Sequence, residues 1–147
     1  MAAATSLREK EAAAYEKASS EDSANIAATQ KAMVAIEKGM GGAFIQTATA
    51  NVLLKIAEKR QEQELVDFLS QSEGYAPASG QIVGILKTMH DEMSAEFAEE
   101  KAAEEAAITA FDQLMAAKTK EVNALTKAIE QKMTRSGELA VEIVQMK

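Results

Sequence analysis

Apolar residues recur at intervals of three, four and seven along most of this chain, a spacing that predicts helices rather than strands. Glycines at residues 38–42 and a loop rich in Gly, Ser and Pro at residues 72–80 interrupt the spacing. A polar stretch at residues 58–64 is either a turn or a solvated part of a helix. We therefore predict an all-α chain with a first helix over 3–39, short helices over 43–58 and 64–71, a loop over 72–80 and a long helix over 81–147.

Each of the first three helices has a face that we expect to be buried. In the first helix, one row repeats every seven residues, and a more polar row interleaves with it. The first row contains Ile26, Met33 and Met40, and the second contains Tyr15, Asp22, Thr29 and Ile36. The face of the second helix carries Phe44, Ile45, Ala48, Val52 and Ile56. The inward residues of the third are Leu65, Phe68 and Leu69.

The long helix carries two heptad rows in its second half. One row contains Ile108, Met115, Val122, Ile129, Ser136 and Ile143, and the other contains Phe111, Lys118, Leu125, Lys132, Leu139 and Met146. An upstream stripe is out of phase with both rows, so we expect a phase slip over 98–107. That stripe contains Ile82, Leu86, Met89, Met93 and Phe97. Ser79 is the expected N-cap, and neither Gly84 nor Gly137 should break the helix, because each costs only about 1 kcal/mol relative to Ala.

Composition narrows the fold class. Ala, Glu, Lys, Met and Gln dominate, and the chain has six aromatic residues and no Cys. Such residues favour helices that pack through thin seams rather than around a thick core. We expect a single elongated helical unit over 1–147, in the form of an antiparallel hairpin or coiled coil. Its first helix would lie against residues 81 to about 118 of a helix roughly 100 Å long.

This arrangement leaves residues 118–147 without a partner from the same chain. A helix with an uncovered apolar face is marginal in water, because packing supplies most of its stability. The cover must come from another copy, another protein or sequence beyond this chain. We therefore predict an assembly interface that contains Val122, Leu125, Ile129, Met133, Leu139 and Ile143.

Charge is distributed unevenly along the chain. Residues 1–117 carry 10 basic and 19 acidic groups, a net charge of −9, whereas residues 118–147 carry 6 basic and 4 acidic groups, a net charge of +2. The most acidic stretch, residues 91–105, has seven acidic groups and one Lys. An acidic middle and a mildly basic end favour staggered association into filaments or lattices. Simple dimerisation, or ordinary charge scatter on a solvated helix, is the alternative.

Several function classes lack the residues that they need. No basic stripe exists to bind nucleic acid, and no apolar run approaches the length of a membrane span. The only histidine, His90, is flanked by Asp91 and Glu92, but neighbours on a helix point in different directions and build no relay. We expect no enzymatic activity and no bound cofactor.

One acidic cluster carries a sharper hypothesis. Four carboxylates of the long helix lie three or four residues apart on one face, and a divalent cation would relieve their repulsion. They belong to Glu92, Glu96, Glu99 and Glu100. Weak calcium binding is therefore one interpretation of the cluster. A solvated charged face that keeps the protein soluble is the other.

Residues 106–132, AAITAFDQLMAAKTKEVNALTKAIEQK, resemble trichocyst matrix proteins, which build the contents of the extrusive organelles of ciliates and dinoflagellates. The resemblance rests on an Ala-rich acidic helix that continues into a pattern of aromatic, acidic, apolar and basic residues. That pattern is Phe111, Asp112, Leu114 and Met115, followed by Lys118, Glu121, Val122 and Leu125. Residues 74–93 also look like the segment that opens this helix in abundant dinoflagellate coiled-coil proteins.

The resemblance implies a structural protein that is cut from a longer precursor and packs into a crystalline or filamentous matrix. It also implies that the matrix lies in a secretory organelle and responds to calcium on discharge. If the resemblance does not hold, or the chain is not cut from a precursor, we expect a cytoplasmic protein. The related chains would be the partners. The alternative is a helical linker or binding module that docks one partner protein through the same apolar face.

Overall fold

A computed structural model describes residues 1–70 and 79–146, and within them the ordered elements are all helices. This confirms the predicted all-α class with one very long C-terminal helix. The helices are α1 (Ala2–Glu37), α2 (Gly41–Ile45), α3 (Ala48–Arg60), α4 (Gln63–Leu69) and α5 (Ser79–Gln145). Residues 79 and 80 of the predicted loop belong to α5, and the expected N-cap Ser79 is its first helical residue. The rest of that loop, and residue 71 of the predicted helix before it, lie outside the described residues.

Helix α1 ends at a glycine in the left-handed conformation. Gly39 has a φ of 72°, which an L side chain adopts only with strain. Its N–H donates to the Ile36 carbonyl at 2.9 Å, and the Met40 N–H donates to the Ala35 carbonyl at 2.8 Å. This pair of bonds satisfies carbonyls that the end of a helix otherwise leaves free. Met40 therefore lies past the helix and is exposed, unlike the earlier members of its predicted row.

The predicted helix over 43–58 is two helices, and this corrects the prediction. The chain leaves the helical path at Thr47, where φ is −91° and ψ is 157°. The Thr47 hydroxyl accepts a hydrogen bond from the Ala50 N–H at 3.2 Å and so caps α3. The break also rotates the buried face, because Leu53 is fully buried whereas Val52, which we expected in the core, is exposed.

A turn after α3 resolves the ambiguity at residues 58–64. Gln61 adopts the left-handed conformation with a φ of 62°. The Gln61 N–H donates to the Glu58 carbonyl at 3.2 Å, and the Glu62 N–H donates to the Ala57 carbonyl at 2.9 Å. This is the same helix ending as at α1, with a glutamine where glycine is preferred.

The described chain divides into two compact units. One comprises Glu11–Glu104, and the other comprises Met1–Lys10 with Glu105–Lys147. The prediction of a single elongated unit over the whole chain stays a prediction.

The first of these units, Glu11–Glu104, contains the hydrophobic core. All five helices contribute to one cluster of buried side chains, which includes Met33, Ile36, Phe44, Leu53, Ile56, Leu65, Leu69, Ile82, Leu86, Met89 and Met93. Within this unit, Asp22 near the middle of α1 contacts Glu100 of α5, whereas Ile36 near the end of α1 joins a cluster with Ile82 near the start of α5. The two helices therefore run antiparallel, as predicted.

The second unit buries little. Its half-buried residues on α5 are Ala107, Phe111, Met115 and Ala128, and those on α1 are Ala4, Thr5 and Arg8. Ile108, which we placed on a heptad row of the seam, is exposed, and Ala107 faces inward instead. The inward positions at 107, 111 and 115 are spaced by four, so the local path departs from a strict heptad. Gly137 lies within α5 without interrupting it.

Candidate functional site

The main candidate site is an apolar face of α5 within the second unit. Phe111 and Met115 lie four residues apart on one side of the helix and are half-buried. Val122 follows seven residues after Met115 and therefore lies on the same side. From residue 116 to residue 146, Ala128 is half-buried and every other side chain is exposed. The apolar face continues along the helix, but its cover does not.

All six residues of the predicted assembly interface lie on this uncovered part of the helix. Between 40% and 70% of each residue's surface is exposed. They are Val122, Leu125, Ile129, Met133, Leu139 and Ile143. We call these six residues the exposed α5 face. Their exposure is established, whereas their role in assembly stays a prediction.

Charged residues flank the exposed α5 face. The Lys118 ammonium donates to Glu121 at 2.7 Å, and Arg135 donates to Glu138 at 3.4 Å. The hydrogen bond and the positive charge of Lys118 lower the pKa of Glu121 below its ordinary value. Glu121 is therefore fully ionised at neutral pH. It presents a negative charge 14 residues, or about four helical turns, before the positive charge of Arg135.

A second candidate site lies in the first unit, where α3 meets α5. Arg60, in the last turn of α3, donates from Nη1 to Glu92 at 3.3 Å and from Nη2 to Glu96. The Arg60 side chain is mostly buried, with 24% exposed, so its guanidinium is held against α5. Two of the four predicted calcium ligands are thus partners of an arginine.

The other two predicted ligands have different surroundings. Glu99 is exposed. Glu100 contacts Asp22 across α1 and α5, and its pKa is raised above the ordinary value. Partial desolvation is the largest cause, followed by the charge and hydrogen bond of Asp22 and then the charge of Glu96. Asp22, Glu96 and Glu100 line an open cleft of about 300 Å³, together with Arg60 and Phe97.

This arrangement does not bring the four carboxylates together around one point. Within residues 1–70 and 79–146, no three carboxylate or histidine side chains are grouped closely enough to hold a metal ion. Arg60 already neutralises part of the cluster. Calcium binding at Glu92, Glu96, Glu99 and Glu100 therefore stays a prediction. A calcium ion there would have to compete with Arg60 for the carboxylates of Glu92 and Glu96.

The histidine contacts a neighbour on its own helix, although we expect such neighbours to point in different directions. His90 Nδ1 lies 3.3 Å from the Asp91 carboxylate, so these neighbours on α5 do interact. The His90 side chain is 25% exposed and that of Asp91 is 66% exposed. No nucleophile is part of this contact. The absence of enzymatic activity stays a prediction.

The two contacts that organise the cleft do not follow in full from any pattern in the sequence. Arg60 and Glu92 are 32 residues apart, and Asp22 and Glu100 lie on different helices. Asp22 stood in the predicted inward row of α1, which was a usable signal for a polar contact inside the helix pair. No local feature of the sequence indicates that Arg60 contacts α5, because residues 58–64 are equally compatible with a solvated turn.

No helix of the described ranges combines the length and the apolar character that a membrane crossing requires. No protein-family model, curated protein or solved structure matches this chain.

Proposed function

We propose that this chain is a structural protein that associates with further copies of itself through the exposed α5 face. The observation that supports the proposal is the continuation of one apolar face from half-buried Met115 to exposed Val122, Leu125 and Ile129. An extended exposed apolar face is typical of a surface that binds another protein.

The stability of α5 itself favours a partner. An isolated helix of about 30 residues draws little stability from hydrogen bonds alone and needs a packed face. Moving a Leu or Ile side chain from full exposure to full burial contributes about 1.5–3 kcal/mol, and covering a half-exposed one contributes about half as much. Leu125, Ile129 and Ile143 are each more than half exposed. A second helix against them would stabilise both chains.

The distribution of exposed apolar residues favours a copy of this chain as the partner. Within the described residues, the large exposed apolar side chains are concentrated between Ile108 and Val144 of α5. The surface that offers the most apolar contact to the exposed α5 face is thus the same face on another copy. Both copies gain from such a contact, as in most homo-oligomers.

The resemblance of residues 106–132 to trichocyst matrix proteins supports a narrower form of the proposal. In that form the chain packs with related chains into a filament or crystalline matrix of an extrusive secretory organelle. Calcium would then alter the packing. This form requires open-ended growth, which a single pairing of two copies does not provide.

Light scattering across a concentration series tests the proposal. We expect the mean mass to rise with concentration, and continued growth beyond a dimer would support the matrix form. A dimer that grows no further would support self-association and exclude open-ended assembly by the chain alone. A monomer at every concentration would overturn self-association. Capture of one defined partner in a one-to-one complex would then identify the chain as a linker or binding module.

A further inference from the structure

We propose that the exposed α5 faces of two copies pair antiparallel, with Leu125 of each copy opposite Ile129 of the other. The inference rests on the proposed function and deepens it, because it names the surface, direction and register of the contact. Three features of residues 118–146 carry it: where apolar area is exposed, where lysines interrupt the face, and where opposite charges flank it.

The first feature excludes the acidic segment as the cover. Charge alone would place the mildly basic residues 118–147 against residues 91–105 of a second copy. However, no large apolar residue of that segment is exposed: Met93 is buried and Phe97 is half-buried. The exposed positions there are acids, alanines and one lysine, which cannot cover Leu125 or Ile129. The exposed α5 face of the second copy does carry apolar side chains that can cover Leu125 and Ile129.

The second feature sets the direction. Lys118 and Lys132 lie on the same heptad row as Leu125. In a parallel pair in register, each position of that row faces itself, so both lysines would meet their own copies inside the seam. In an antiparallel pair the two heptad rows face each other. Lys132 then lies opposite Val122 of the second copy and Lys118 lies opposite Ser136, which removes both like-charge contacts.

The third feature sets the register. When Leu125 faces Ile129, Glu121 of each copy flanks the seam beside Arg135 of the other copy. The pair therefore has two Glu121–Arg135 contacts related by the two-fold axis. A slip that instead brings Glu121 toward Glu142 of the second copy replaces both attractions by repulsion. Flanking charges select register and orientation in coiled coils in this way.

The pairing is compatible with the exposure of the rest of α5. The central contact covers residues 118–136, about 28 Å of helix at 1.5 Å per residue. Beyond it, Leu139 and Ile143 reach Met115 and Phe111 of the second copy, which are only half-buried in their own chain. Ala128 lies at the centre of the pair, where each copy meets its own equivalent. Such a pair is closed by its symmetry, so a matrix would need a second contact elsewhere.

Charge reversal tests the register. Glu121→Arg or Arg135→Glu alone turns two attractions into repulsions and should weaken self-association about tenfold. The double variant Glu121→Arg, Arg135→Glu restores opposite charges across the pair and should return to within about threefold of the wild type. Each variant also changes a contact within its own helix, so helix content is compared by circular dichroism. Failure of the double variant to recover association would overturn the register.

Cross-linking tests the direction, and the absence of native cysteines makes single-cysteine variants clean probes. With a short bifunctional maleimide, Ala128→Cys should give a covalent dimer and Ser136→Cys should not. The reverse result would show a parallel pair and overturn this inference while leaving self-association intact. A wild-type chain that stays monomeric at every concentration would overturn the proposed function and, with it, this pairing.

Discussion

Val122 lies seven residues after Met115 on one face of α5, yet Met115 is half-buried and 50% of the surface of Val122 is exposed. The sequence pattern does not change between these residues, because both belong to one heptad row. What changes is the packing of other side chains against this face, which is present at Met115 and weaker at Val122. α5 therefore carries an apolar face that is partly covered at Met115 and exposed at Val122, and this relationship supports the proposed self-association.

Two charges placed on the exposed α5 face should prevent association without melting the fold. Leu125→Glu with Ile129→Glu puts a carboxylate at the centre of the apolar contact in both copies, where burial of unpaired charge is strongly unfavourable. We expect sedimentation velocity to show a single monomeric species at concentrations where the wild type associates. Most of the helix signal should remain.

The matched control is Ala124→Glu with Gln131→Glu. This variant changes the net charge by the same amount but places both carboxylates on the opposite side of α5. It should associate like the wild type, apart from a small effect of net charge. Equal loss of association in both variants would locate the contact elsewhere or show that charge alone decides it.

Arg60 should compete with calcium for Glu92 and Glu96. Arg60→Gln removes the bridge between α3 and α5 and should lower the free energy of unfolding by about 1 kcal/mol or less, because both carboxylates are largely exposed. It also leaves two carboxylates four residues apart without a cation. Millimolar calcium should therefore raise the midpoint of thermal unfolding more in Arg60→Gln than in the wild type.

Lys55→Gln is the control for that experiment, because it removes the same charge at an exposed residue of α3 that does not line the cleft. If calcium stabilises all three proteins equally, the cation does not use Glu92 and Glu96. If it stabilises none of them, the acidic cluster is a solvated face.

The contact between Asp22 and Glu100 should make the first unit more stable in mild acid. The pKa of Glu100 is raised in the fold, so the folded chain holds this proton at a pH where the unfolded chain has released it. Its contribution to stability is fully present below the ordinary pKa and is lost as the pH rises through the raised value. Glu100→Gln imitates the protonated form at every pH.

Thermal unfolding at pH 7 and at pH 4.5 measures this effect. Glu100→Gln should unfold at a higher temperature than the wild type at pH 7, and the difference should shrink at pH 4.5. Glu99→Gln removes the same charge at an exposed neighbour and should show a smaller difference at pH 7. A Glu100→Gln protein less stable than the wild type at pH 7 would mean that the carboxylate stabilises the fold.

Gln61 offers a stabilising substitution. Its φ of 62° is unfavourable for an L side chain by about 1 kcal/mol. Gln61→Gly should therefore raise the free energy of unfolding by up to about 1 kcal/mol, measured by urea denaturation. Glu62→Gly, at a residue with a φ of −83°, should lower it instead, because glycine there only adds freedom to the unfolded chain. Equal changes in the free energy of unfolding for both variants would contradict the left-handed conformation of Gln61.

The parts of the fold that follow from periodicity could be predicted from the sequence. The long helix predicted over 81–147 lies at Ser79–Gln145, and the stripe from Ile82 to Met93 is buried as expected. Both depend on a regular pattern over many residues, which a single local feature does not override.

The missed features depend on single contacts. At the break in the predicted second helix, the Thr47 hydroxyl donates to the Phe44 carbonyl and accepts from the Ala50 N–H, although the apolar spacing continues through this position. Arg60 reaches two glutamates more than 30 residues away, and no periodicity indicates such a pair.

The exposed α5 face could be predicted as uncovered, because the first helix is too short to reach it, but its partner is a proposal.

Hydrogen exchange of backbone amides across protein concentrations tests self-association most directly. An uncovered helix opens locally and exchanges fast, whereas a covered helix is protected. We predict that protection of residues 118–146 rises with concentration while protection around buried Leu53 and Leu86 stays constant. Protection of residues 118–146 that is the same at the lowest and highest concentrations would contradict the account.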